Sequence, residues 1–215
     1  MAFTPDSDGR TALHRAATAG DASLVANLLQ LPGAASASSK SDDGGYTPLH
    51  CASAAGAVSV IPLLLAAGAD ANVPTLMGAL PLHLHKGRAD VVAALAPATR
   101  TVNAVDGCGG TALHRAAARG EVDAARALLA AGADLEARDG EGKTALFLAI
   151  EEGREAAVMA LLREGARVSH ALAGAPKWAA LERAGPALQK KMAAVAREMG
   201  EGGGGGGGGG GEDGP

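Results

Sequence analysis

Histidine is the residue whose type and recurrence first invite a chemical reading of this chain. Six are present, and four of them, His14, His50, His83 and His114, follow one another at spacings of 36, 33 and 31 residues. An imidazole near neutrality serves as a general base or a metal ligand, but a zinc site needs ligands that converge on one point. Side chains that arrive once per unit of about 33 residues are carried apart as a row. His85 and His170 have no Cys or carboxylate partner at ligand spacing, and Cys51 and Cys108 lie 57 residues apart. No Gly-x-x-x-x-Gly-Lys-Ser/Thr, His-Glu-x-x-His or Gly-x-Ser-x-Gly occurs. The ten glycines of 202–211 have neither a strand before them nor a helix after them, so they form no phosphate loop. These residues predict no enzyme, no metal and no cofactor. The recurring histidine is expected to be structural, and the two cysteines reduced.

The elements that must carry the histidines repeat with them. Thr11-Ala-Leu-His14, Thr47-Pro-Leu-His50, Leu80-Pro-Leu-His83, Thr111-Ala-Leu-His114 and Thr144-Ala-Leu-Phe147 each open a unit. Threonine at that place is a helix N-cap, and Pro48 and Pro81 suit a first helical turn that needs no N–H. Leu and small Ala residues then make a thin inner helix, which Gly20, Gly56, Gly87, Gly120 and Gly153 end as left-handed caps. A second, outer helix follows each glycine with one apolar stripe: Leu24, Val25, Leu28 and Leu29 in the first unit, Ala157, Val158, Leu161 and Leu162 in the fifth. One helix pair cannot bury such a stripe alone, whereas a stack of pairs can. The tetrapeptide and its period resemble the ankyrin-repeat family. The resemblance implies an all-α, ankyrin-repeat α-solenoid with short hairpin fingers. Its five repeats start near residues 6, 42, 75, 106 and 139, and a degenerate C-terminal capping repeat covers 172–199. Residues 1–199 then form one domain, and 200–215 a disordered Gly-rich tail with nothing to bury.

Composition narrows the partners. The chain has 215 residues, a net charge of −4 and only 2% aromatics, and a sequence pI near 5.8. No basic excess favours nucleic acid or an anionic membrane. The start, Met1 to Asp8, has no basic and apolar signal pattern, and no run approaches the roughly 20 apolar residues of a membrane span. The expectation is a soluble, monomeric protein of the cytoplasm and/or nucleus.

Local departures carry further expectations. Pro32 to Lys40 reads as a polar loop insertion, which is thermodynamically cheap. Pro62 fits the second outer helix only if that helix starts late, with Ser59 as its cap and Pro62 at the third helical position. The third repeat is two residues short before Gly87, lacks the capping Thr and is closed early by Pro97. It is expected to have the lowest local stability. Trp178–Ala184 and Pro186–Met199 read as the inner and outer helices of the cap.

With no catalytic set, the remaining chemistry lies on a surface. Finger tips and the exposed ends of inner helices line the concave face of such a stack. Those positions are Asp8, Arg10, Asp42, Asp43, Tyr46, Leu76, Met77, Arg119, Glu141, Lys143, Glu151 and Glu152. Mixed charge with an acidic excess selects a net basic protein partner. Asp8-Gly-Arg-Thr-Ala-Leu-His14, the 42–56 stretch, His114-Arg-Ala-Ala-Ala-Arg-Gly120 and Asp139-Gly-Glu-Gly-Lys-Thr-Ala-Leu146 resemble the gankyrin branch of the family, the proteasome non-ATPase regulatory subunit 10 type. That resemblance, over residues 6 to about 199, implies an assembly chaperone. Such a protein holds the C-terminal domain of a proteasome regulatory-particle ATPase in its groove, with Arg10 and the Asp42-Asp43-Tyr46 finger as contacts. Relative to that branch one leading repeat is expected to be missing, and Leu148-Ala-Ile-Glu-Glu152 replaces its Leu-x-Cys-x-Glu. The alternative is a general ankyrin adaptor in signalling or ubiquitin transfer with an unrelated partner.

Overall fold

The computed structural model describes residues 3–168 and 185–198, with side chains as far as 195. Inner segments are α1 (Ala12–Ala19), α4 (Pro48–Ala55), a 3-10 turn (Pro81–Leu84), α7 (Ala112–Arg119) and α9 (Ala145–Glu151). Outer segments are α2 (Ala22–Leu29), α5 (Ile61–Ala66), α6 (Ala89–Leu95), α8 (Val122–Ala130) and α10 (Glu155–Arg163). Two more helices, α3 (Ala34–Ser38) and α11 (Gly185–Glu198), and a second 3-10 turn (Ala96–Ala98) after α6 also lie among the described residues.

Helices α4, α7 and α9 start on the threonine cap that their sequence carries, whereas Thr11 makes no such side-chain bond to α1. The hydroxyls of Thr47, Thr111 and Thr144 accept from the N–H of His50, His114 and Phe147 at 3.4, 3.4 and 3.3 Å. Gly120 closes α7 at φ 78°, a left-handed geometry that lets its N–H reach Ala117 O at 3.1 Å. Leu13, Leu49, Leu82, Leu113 and Leu146, one per repeat, are sealed in the core beside Val25, Ile61, Leu64, Leu95, Leu128 and Leu161 from the outer helices. Removing each leucine from water contributes about 1.5–3 kcal/mol. Ala16, Ala17, Ala116 and Ala117 are also buried, so the small inner faces let neighbouring repeats approach closely.

Four expectations change in detail. Leu24 is 45% exposed and stands outside the first stripe. Helix α5 does start late, but its cap is Val60 and Pro62 falls in the first two helical positions. The Pro32–Lys40 insertion is no open loop: it folds into α3, buries Ala34 and Ala37, and ties Ser38 Oγ to Ala35 O at 2.8 Å and Ala67 O at 3.4 Å. Small residues at i and i+3 gave that turn an apolar face to dock. In the third repeat the two missing residues leave only a 3-10 turn. Lys86 takes φ 50° to make the exit, the one non-glycine with positive φ among the described residues.

Of the predicted cap, Trp178–Ala184 lies outside the described residues, as do the tail and residue 199. The outer part is present as α11, with Leu188, Met192 and Val195 buried in the core against α10 and with Lys191 paired to Glu155.

Candidate protein-binding face

The fingers are built by one recurring side chain. Asp6 Oδ1 accepts from the N–H groups of Asp8 and Arg10, Asp42 from Gly44 and Tyr46, Asp106 from Cys108 and Gly110, and Asp139 from Glu141 and Lys143, at 2.9–3.1 Å. In the third finger Thr75 Oγ1 does the same for Ala79 N–H at 3.1 Å. The tips then join in series. Asp43 N–H donates to Asp8 O, Leu76 N–H to Gly44 O, Gly107 N–H to Met77 O and Gly140 N–H to Cys108 O, at 2.8–3.1 Å. In the last two joints the donor must be glycine, because a Cβ at Gly140 would sit 2.6 Å from Cys108 O and one at Gly107 2.8 Å from Met77 O.

Beneath the ladder the histidines form a second one. Thr11, Thr47, Leu80 and Thr111 donate their N–H to Nδ1 of His14, His50, His83 and His114 at 3.0–3.2 Å. Nδ1 is therefore the acceptor and Nε2 carries the proton. Three Nε2–H groups reach a carbonyl of the next repeat, Tyr46, Ala79 and Lys143, at 3.0–3.1 Å, whereas that of His83 reaches Ala104 O, at the end of its own repeat, at 3.1 Å. Burial lowers the pKa of His14 and His83 and takes His50 down to about 4, against the weaker pull of the carbonyls. The row is a neutral strap between repeats, as expected from its spacing.

Of the expected contact residues, Asp8, Arg10, Asp43, Leu76, Met77, Arg119, Glu141 and Glu152 are exposed. Tyr46, Lys143 and Glu151 are half-buried. Leu76 and Met77 project from the third fingertip, 78% and 67% exposed. Asp42 is a correction, because it is buried and works as a brace. Burial pushes its carboxyl up, but Tyr46 and Gly44 N–H and the Arg10 guanidinium, at 3.0 Å, outweigh this and hold it low. Repeats one and four brace their finger aspartates with Arg15 and Arg115, each at 2.7 Å. Repeat two has Cys51 at that place, so Arg10 reaches over from repeat one. Lys143 holds both Glu141 and Glu151 at 2.9 Å and stands 5.3 Å over the Phe147 ring. Where Cys51 replaces an arginine, a hollow of about 430 Å³ opens, lined by Arg10, Thr18, Tyr46, Cys51, Ala54, Ala55 and Lys86.

A family model for ankyrin repeats in three copies matches residues 2–75 and again 77–171. The chain belongs to the ankyrin-repeat family. Among curated proteins, "Zinc finger CCCH domain-containing protein 50" of Oryza sativa subsp. japonica is 42% identical over 77 residues. That match covers 34% of this chain and 12% of the rice protein, so the chain spans only a small part of that relative.

Two features of this ankyrin stack escaped the sequence. Val105, which pairs with Thr111 at the base of the fourth finger, is an apolar side chain left 55% exposed. His85, expected to stand alone, is buried with Glu121 Oε2 3.4 Å from its Nδ1, which already accepts Gly87 N–H at 3.1 Å. Glu121 Oε2 has no hydrogen-bond partner among the described residues. Burial raises Glu121 and takes His85 down to about 4. The partners are 36 residues apart in sequence, and only stacking brings them together.

Proposed function

We propose that this ankyrin-repeat scaffold is an assembly chaperone that receives the C-terminal domain of a proteasome regulatory-particle ATPase along its fingers and inner-helix ends. Ankyrin repeats are protein-interaction modules, and the observation that carries the site is the single face formed by joined fingertips. Asp8, Asp43, Leu76, Met77 and Glu141 are exposed on one continuous ladder, with a roomy hollow behind the first two fingers. A charged rim around apolar anchors is the anatomy of a protein interface. The finer assignment to the proteasome rests on the resemblance over residues 6 to about 199.

Affinity purification of the full chain with mass-spectrometric identification tests it. Regulatory-particle ATPase subunits are expected in the eluate, displaced by an excess of recombinant ATPase C-terminal domain. Recovery of an unrelated protein with no ATPase would replace the chaperone with a general adaptor. Asp8→Lys with Asp43→Lys is the face variant of choice, expected to weaken capture at low salt with an unchanged melting temperature. Arg10→Glu is unsuitable, because it would strand the buried Asp42 carboxylate without its cation.

A further inference from the structure

The floor of the concave face carries an ordered series of side chains. The ends and exits of successive inner segments present Ala19, Ala55, Lys86, Arg119 and Glu152, one per repeat. Lys86, Arg119 and Glu152 take part in no ion pair among the described residues, unlike Lys143 and Glu151 beside them. Lys86 leans back over α4, its Nζ 3.5 Å from Ala55 O, at the edge of the hollow whose floor is small because it is made of Cys51, Ala54 and Ala55. Arg154 leans back over α7 in the same way, its Nε 3.0 Å from Ala118 O beside Arg119, so from the first repeat to the fifth the floor reads hollow, cation, cation pair, anion.

We infer that this floor is a template for one amphipathic helix of the partner, with a large apolar residue seated in the hollow, acidic residues facing Lys86 and Arg119, and a basic residue facing Glu152. The inference rests on the protein-binding reading above and adds the chemistry of the occupant. The spacing selects a helix. Packed inner helices repeat every ~8–10 Å, so a helix rising 1.5 Å per residue advances about five to seven residues per repeat. At the wide end of that spacing the advance approaches two turns, and the same face of the helix meets every repeat. An extended segment would advance about three residues per repeat, and its side chains, alternating with period two, would face the floor at every other repeat only. The order of charges sets the direction as well as the register. The partner's apolar anchor lies at the end where the hollow is, its acids follow at intervals of about seven residues, and its base comes last.

Two designed helical peptides of equal composition outside the tested positions serve as probes. The first carries Leu, Glu, Glu and Lys at successive seven-residue intervals on an Ala-rich host, and the second carries Leu, Lys, Lys and Glu. Fluorescence anisotropy with the full chain at low salt is expected to show the first binding at least about tenfold more tightly, with the gap narrowing as salt rises. Arg119→Glu is expected to weaken the first peptide about fivefold and to improve the second, while Arg119→Gln weakens the first by less. Equal affinity for the two peptides, failure of both to bind, or indifference of the first peptide to Arg119→Glu overturns the template. The two readings fail separately. Peptide preference intact with no ATPase captured removes the chaperone and keeps the template, and ATPase captured with no peptide preference does the reverse.

Discussion

At the scale of single residues, the histidine row shows how one side chain joins a local and a long-range task. Nδ1 closes the start of its own helix and Nε2–H holds the next repeat, so both jobs require the neutral ring. For His50 the pKa is lowered from 6.5 to about 4 by burial. A base whose folded pKa lies below its unfolded value contributes nothing unfavourable above pH 6.5. Between pH 6.5 and about 4 the unfolded chain binds more protons, so stability falls as pH falls, on the order of 3 kcal/mol from His50 alone. His14 and His83 shift in the same direction and add to the slope. Asp42 and Asp106, held below the ordinary carboxylate value of 3.8, act only at still lower pH. Urea unfolding of the chain is expected to show a clear drop in midpoint from pH 7 to pH 4.5. His50→Phe, which copies the Phe147 of repeat five, is expected to flatten that drop while lowering stability at pH 7 by about 1–3 kcal/mol. An unchanged slope would mean that His50 is not the neutral strap described.

At the scale of elements, the finger ladder depends on absent side chains as much as on present ones. Gly140→Ala places a Cβ 2.6 Å from Cys108 O and displaces the 3.0 Å bond that joins the fourth and fifth fingers. Gly142→Ala meets nothing within 4 Å and suffers only from its φ of 77°. Equilibrium unfolding is expected to show a loss of about 2–3 kcal/mol for Gly140→Ala against about 1 kcal/mol for Gly142→Ala. The reverse order would contradict the ladder. The inner helices and their glycine caps were legible in the sequence because Thr, Leu, His and Gly each do one local job at a fixed offset. The fingers were less so. Asp42 looks like a surface charge, and only its recurrence at the offset of Asp6, Asp106 and Asp139 marks it as a brace. Helix α3 was hidden because Ser and Ala carry weak periodicity, and its docking depends on Ala67 of the next repeat. The His85–Glu121 pair has no local signature at all.

At the scale of the whole molecule, the stack divides into a back of outer helices and a front of fingers and inner-helix ends, and the proposed partner lies on the front. Hydrogen exchange over the full chain, alone and saturated with the partner recovered by affinity purification, tests that placement most directly. In the free chain the 3-10 turn Pro81–Leu84 and its exit are expected to exchange first, since the shortened third repeat has the least helix to break. In the complex, protection is expected along the fingers around Asp8, Asp43, Met77 and Glu141 and in the last turns of α7 and α9. The outer surfaces of α2, α5, α6 and α8 should stay unchanged. Protection confined to those outer helices, with the fingertips as exposed as in the free chain, would contradict it.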